Sequence, residues 1–184
     1  MEQEHGKIRY KLEALLFASP EPLGAERLAS ILEPEGASAA DVRECIEQLR
    51  KEYESHGHAF DIVEVARGYR LLTRGELSDV ISRLNPPRRD KGLSEAAMET
   101  LAVIAYRQPV TEAQVDAVRG VNCEGALRTL LSKGLVVSAG RSEDPGRPML
   151  YKTSDEFLKY FNLASLDDLP SDKDFPATAR KAEK

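Results

Sequence analysis

Cysteine is scarce in this chain of 184 residues: Cys45 and Cys123 are the only two. They lie far apart, each inside a helical pattern, so a structural disulfide is not expected and a reducing cytoplasm suits the protein. Long apolar runs are missing as well. Nothing approaches the roughly 18 consecutive apolar residues of a membrane span. The first ten residues, MEQEHGKIRY, begin acidic and turn amphipathic, which is not the pattern of a secretory signal. Positive charge is not in excess. The net charge is −5; residues 1–87 carry 11 Lys+Arg against 16 Asp+Glu, and residues 88–184 carry 15 of each. A protein that holds DNA by neutralising phosphates usually has a basic domain. Neither half is basic, which leaves room only for a local patch.

The residues of catalysis are sparse too. His5, His56 and His58 are the only histidines, and none lies in the second half. His56 and His58 flank Gly57 without a third or fourth metal ligand nearby, and read as solvated side chains at a helix end. Cys123 falls in the first turn of a helix, where a thiolate is favoured, but it has no histidine base in its half of the chain. It and Cys45 read as small packing residues. No glycine-rich phosphate loop, no H-E-x-x-H and no G-x-S-x-G occurs. The carboxylates are scattered among basic neighbours, as on solvated helix faces. No metal, no cofactor and no enzymatic activity are expected.

What is present is patterned. Ile8, Leu12, Leu15 and Leu16 make one helical stripe, widened by Phe17 and stopped by Ser19-Pro20-Glu21-Pro22. Leu28, Ile31 and Leu32 make a short second stripe. Ser38 and Asp41 form a capping box for a third helix, with Val42, Ile46, Leu49 and Tyr53 inward and Gly57 as its left-handed stop. Phe60–Val65 and Tyr69–Thr73 read as paired strands, with Gly68 supplying positive φ in an Arg67-Gly68 turn. A short amphipathic helix follows, bearing Leu77, Val80, Ile81 and Leu84. Three helices and a hairpin are the plan of a winged helix.

The second half repeats the plan. Ser94 caps a helix that is apolar on almost every side through Leu101–Tyr106, and such a helix is expected to lie in the middle of a core. Thr111 and Gln114 form a capping box, with Val115 and Val118 inward and Gly120 at the end. Asn122 caps a third helix with Ala126, Leu127, Leu130 and Leu131 as its stripe. Leu135–Val137 and Met149–Tyr151 are strands about a long tip, Asp144-Pro145-Gly146-Arg147, and Ser154 caps a helix with Phe157, Leu158 and Phe161. Pro22-Leu23 and Pro109-Val110 occupy matching places between the first and second helices of each half. The fold class expected is α+β, mainly α: two tandem winged-helix domains. The domains are placed at 1–85 and 93–170, with a proline-stiffened, charged linker at 86–92 and a disordered tail at 171–184.

The segments ETLAVIAYRQPVTEAQVDAVRGV, LRTLLSKGLV, PGRP, DEFLKYF and SLDDLP, in this order, resemble the segregation and condensation protein B family. LEALLFAS, EPL and VEVARGYRLLT resemble its first half, and the likeness covers roughly Lys11 to Pro170. Asn122-Cys123 departs from the Asp-Ser expected there, and Lys152 and Asn162 stand where glycine is expected. The resemblance implies a non-enzymatic, cytoplasmic, nucleoid-associated protein that forms a homodimer through its first domain. It also implies binding to a kleisin subunit, segregation and condensation protein A, and through it to a structural-maintenance-of-chromosomes ATPase, in chromosome condensation and partition. DNA would be touched only indirectly or weakly.

The candidate partner-binding residues are Tyr106, Arg107, Gln108 and Arg147. Tyr and Arg at a helix exit suit an interface, combining a broad apolar face with donors. Equally, Tyr106 can close the core and Arg107 can cap its helix. The resemblance favours partner contact for Arg107 and Arg147. The alternative function is a winged-helix DNA-binding transcriptional regulator. In that case the third helix of the second half would read DNA with Glu124, Arg128, Ser132 and Lys133, a mixed set poorly suited to phosphate.

Overall fold

The computed structural model describes residues 2–84 and 92–171, and side chains from Lys7 onward. The expected linker, apart from Gly92, and the expected tail, apart from Ser171, lie outside the described residues. The first half runs α1 (Glu2–Ala18), α2 (Ala25–Ile31), α3 (Ala39–Ser55), β1 (Phe60–Val65), β2 (Gly68–Thr73) and α4 (Ser78–Leu84). The second runs α5 (Glu95–Arg107), β3 (Val110–Thr111), α6 (Glu112–Arg119), α7 (Glu124–Ser132), β4 (Val136–Arg141), β5 (Met149–Thr153) and α8 (Asp155–Phe161). Each half is a three-helix cluster with an antiparallel hairpin, so the chain is a tandem of winged helices, mixed α+β and mainly α.

Two separate apolar cores hold these halves. Ile8, Leu12, Leu28, Val42, Ile46 and Ile62 centre the first; Leu101, Ile104, Val115, Leu130, Leu135 and Val136 centre the second. The helix starts behave as their sequences dictate. Asp41 N–H donates to Ser38 Oγ at 3.2 Å and Ser38 N–H to Asp41 Oδ2 at 2.8 Å, a reciprocal box that satisfies two orphan donors. Thr111 and Gln114 do the same for α6. Asn122 accepts from Glu124 N–H at 3.1 Å, while the capping position itself falls one residue later, on Cys123.

Several apolar stripes are narrower than their spacing suggested. Phe17 is 80% exposed, and Ile31, Val118 and Leu131 also face outward. The α5 helix is not wrapped by core: Ala97, Leu101, Ile104 and Ala105 are buried, whereas Met98, Ala102 and Tyr106 are exposed. Alanine is apolar enough to count on a hydropathy stripe and small enough to tolerate water, so it hides which face is inner.

The sheets hold a strand that two-residue spacing conceals. β3 pairs with β5 through Val110↔Tyr151, giving the order β3-β5-β4. In the first half Leu23 makes the matching bridge to Tyr69, with hydrogen bonds of 3.0 and 2.9 Å. The Pro22-Leu23 and Pro109-Val110 pairs therefore do the same job: each feeds a short third strand onto the return strand of its wing.

The hairpin turn differs from expectation. Positive φ falls on Ala66 (48°) and Arg67 (64°), not on Gly68, which is already in β2. Gly68 is needed for room instead. A Cβ there would stand 3.0 Å from Pro22 Cβ and 3.1 Å from the Leu23 backbone. The turn also touches the second half: Ala66 N–H donates to Leu163 C=O at 2.9 Å, and Lys159 Nζ reaches Glu21 Oε2 at 2.7 Å.

Candidate functional site

The four candidate residues sit at the exit of α5 and at the tip of the second wing, and the structure gives them different surroundings. Gln108 faces inward. Its Oε1 accepts from Thr153 N–H at 2.8 Å and Thr153 Oγ1 at 3.0 Å, and its Nε2 donates to Ala105 C=O at 3.0 Å. These bonds tie the end of α5 to the end of β5, which is structural work. Tyr106 is half-exposed, and its hydroxyl donates to Pro170 C=O at 2.6 Å, pinning the end of the described chain against α5. Its ring face stays open to solvent.

Arg107 is exposed in the last turn of α5, where its charge suits the helix C-terminus. It lines a shallow depression of about 400 Å³ with Val103, Pro109, Val110, Gln114 and Val118. That surface is apolar with a cation at its edge, a fair seat for an extended peptide. Arg147 is exposed at the wing tip, held at φ 45° by a turn in which its N–H donates to Asp144 C=O at 2.8 Å and its own C=O accepts from Arg141 at 3.0 Å. A second depression, of Glu112, Ala113, Asp116, Pro148, Met149 and Tyr151, lies beside the base of this wing on the other flank of α6. Arg107 and Arg147 therefore do not converge on one site.

The surface of α7 has little free positive charge. Arg128 pairs with Glu124 at 2.7 Å, and Ser132 Oγ bonds to Thr129 C=O at 2.8 Å. Burial, then the hydrogen bond to the neighbouring Asp116 carboxylate, push the Cys123 thiol up to about 12, which disfavours its thiolate. Burial also raises the Cys45 thiol. Among the described residues, no group of three or more His, Cys, Asp or Glu is arranged to hold a metal ion, and no helix is long and apolar enough to cross a membrane.

The first half carries a feature that the candidate set omitted. An open groove of about 540 Å³ runs between α1 and the hairpin, lined by Tyr10, Phe17, Phe60, Leu71 and Leu72, with Glu13 and Arg70 among its polar groups. Tyr10 and Phe17 are among the most exposed large apolar side chains of the described chain, at 76% and 80%. They are one heptad apart, so they share a helix face. Five residues after Thr73, which lines the groove, α4 begins, and it buries no residue at all: Val80 is 60% exposed and Leu84 75%. Apolar side chains left in water forgo on the order of 1.5–3 kcal/mol each relative to burial. The signal was present in the i, i+3, i+4, i+7 spacing of Leu77, Val80, Ile81 and Leu84. A stripe shows that a helix has an inner face, but not which molecule lies inside it.

The family described as segregation and condensation complex subunit ScpB matches residues 10–172. The chain belongs to the segregation and condensation protein B family. The chain is 49% identical to segregation and condensation protein B of Symbiobacterium thermophilum over 90% of this chain and 73% of that one. It is 43% identical to that of Clostridium tetani over 91% of this chain and 88% of the relative. A solved structure described as a dimer of ScpB N-terminal domain complexed with ScpA peptide is 27% identical, with a TM-score of 0.38, covering 44% of this chain and 90% of that one. The family is one of subunits of a segregation and condensation complex.

Proposed function

We propose that the chain is a non-enzymatic architectural subunit that dimerises through its first winged-helix domain, residues 1–85, and binds a kleisin through its second, residues 93–170. The 86–92 segment joins the two. In this role it supports chromosome condensation and partition beside the nucleoid, touching DNA at most indirectly. The observation that carries the dimer is the uncovered apolar surface of the first domain, where Phe17, Val80 and Leu84 face water together with Tyr10. Large exposed apolar patches mark contact surfaces. The kleisin partner is supported by membership in a family of complex subunits and by the Arg107 depression. The pairing of Arg128 with Glu124 on α7, which leaves Lys133 as the remaining cation of the expected DNA-facing set, favours this reading over a DNA-reading regulator.

Co-purification with the kleisin encoded in the same genome, followed by mass measurement, tests the reading. The expected result is a complex containing two copies of this chain. A chain that sediments as a monomer at micromolar concentration and captures no kleisin sinks it. Arg107→Ala is expected to weaken kleisin binding about tenfold, the effect of a moderate interface anchor, with an unchanged thermal melt. Unchanged affinity would reduce Arg107 to a helix end.

A further inference from the structure

We infer that the depression beside Arg107 has an occupant from this same chain: residues 172–176 return along α5 and seat the Phe175 ring in it, so that a kleisin segment has to displace them. This rests on the kleisin reading above and adds a regulation of the same site.

The described chain leaves the second domain at a suitable place. Leu169 packs on the second core, and the Tyr106 hydroxyl donates to Pro170 C=O at 2.6 Å. Val103, Tyr106 and Arg107 are spaced i, i+3 and i+4 on α5, so they are neighbours on one helix flank. The exit at Pro170 therefore lies beside the depression that Val103 and Arg107 line with Pro109, Val110 and Val118. The stretch from Pro170 to Phe175 spans about 16 Å when extended, at roughly 3.3 Å per residue. That exceeds the roughly 8–10 Å between packed helices, so the ring can reach across from α5 towards α6.

The sequence of that stretch suits the seat. Phe175 is the one large apolar residue after Pro170, and the carboxylates of Asp172 and Asp174 precede it. A proline at 176 favours an extended backbone at Phe175. The walls of the depression are mostly valine, proline and alanine, and Arg107 is its single charge. Arg107 is exposed and has no hydrogen-bond or ion-pair partner among the described residues, so its guanidinium is free to take a carboxylate at the rim. Charge excludes the depression on the other flank of α6, because Glu112 and Asp116 line it and would repel Asp174. Charge also selects the register: residues 177–184 carry Arg180, Lys181 and Lys184 against Glu183, and would be repelled by Arg107. A segment on so short a tether is held at millimolar effective concentration, so a weak contact fills the seat for part of the time. The apparent affinity for the kleisin then falls by the fraction of seats left free.

Valine methyl spectra and kleisin titrations of the full chain test this, with Phe175→Ser as the variant. Losing the ring should shift the methyl signals of Val103, Val110 and Val118, while Val42, in the first core, stays in place. Kleisin affinity should rise about threefold to tenfold, as expected when a weak tethered competitor is removed. Methyl signals that do not move overturn the seat, and the kleisin reading stands wherever Arg107→Ala still weakens binding. Moved signals with unchanged kleisin affinity overturn the competition. Moved signals in a chain that captures no kleisin uphold the seat and remove the kleisin reading.

Discussion

A methyl group at position 68 has nowhere to go. The neighbours a Cβ would meet include the Leu23 backbone, which is itself hydrogen-bonded to Tyr69 and unable to retreat cheaply. Gly68→Ala should therefore destabilise the first domain by about 1–3 kcal/mol, the cost of overpacking a tight site, visible as a lower denaturant midpoint at unchanged slope. Alanine at Gly75, where a Cβ meets nothing within 4 Å, is the matched control. Position 68 was legible as a glycine that matters. The reason was not, because a turn and a close approach leave the same mark in a sequence. Ala66 and Arg67 carry the left-handed conformation that the glycine had been expected to supply.

Helix starts were the most legible elements, since a capping box needs only its own four residues. Ser38–Asp41 and Thr111–Gln114 both close as their spacing demands. Strand β3 and the Leu23 bridge were hidden, because two residues have no period. The inner faces of Phe17, Ile31 and Leu131 were misjudged for a related cause: spacing gives the direction of a stripe, while its width depends on what packs against it. Gln108 shows the same limit at a candidate site. Its place at a helix exit suggested a partner, but its amide joins α5 to β5. Gln108→Ala leaves the buried Thr153 N–H without its acceptor, and should cost about 1–3 kcal/mol of stability in the second domain. Chemical denaturation would read it. A loss of kleisin binding with full stability would instead return Gln108 to the interface.

Among the described residues, the two winged helices meet through the Ala66–Leu163 backbone hydrogen bond, the packing of Ala66 against the second core and an ion pair, Glu21 with Lys159. The Lys159 hydrogen bond, and then its charge, hold the Glu21 carboxyl below its usual value. The same bond raises the Lys159 ammonium. For Glu21 the sign is that of a depressed acid: the contribution is present above the ordinary carboxylate value and is lost as pH falls through the lowered one. For Lys159 it is present below the ordinary amine value and lost as pH rises through the raised one. Neutral pH thus lies inside the window where the pair is intact. Exposed pairs of this kind are weak and salt-sensitive. Glu21→Gln at pH 7 should lengthen the maximum dimension seen by small-angle scattering, and the difference from the native chain should shrink as pH falls through the lowered Glu21 value. Equal dimensions at pH 7 would show that the pair does not hold the halves together.

The β1–β2 hairpin has a contact at each end. Its turn, at Ala66, meets the second half, and its open end, at Phe60 and Thr73, borders the groove. Six paired residues separate the two, about 20 Å of ladder. A hydrogen-bonded ribbon resists stretching but twists, so it works as a ruler with a set pitch. In the proposed dimer two such rulers would diverge from one central seam. Their length would set how far apart the two kleisin-binding ends are held, and their twist would set the directions in which those ends point.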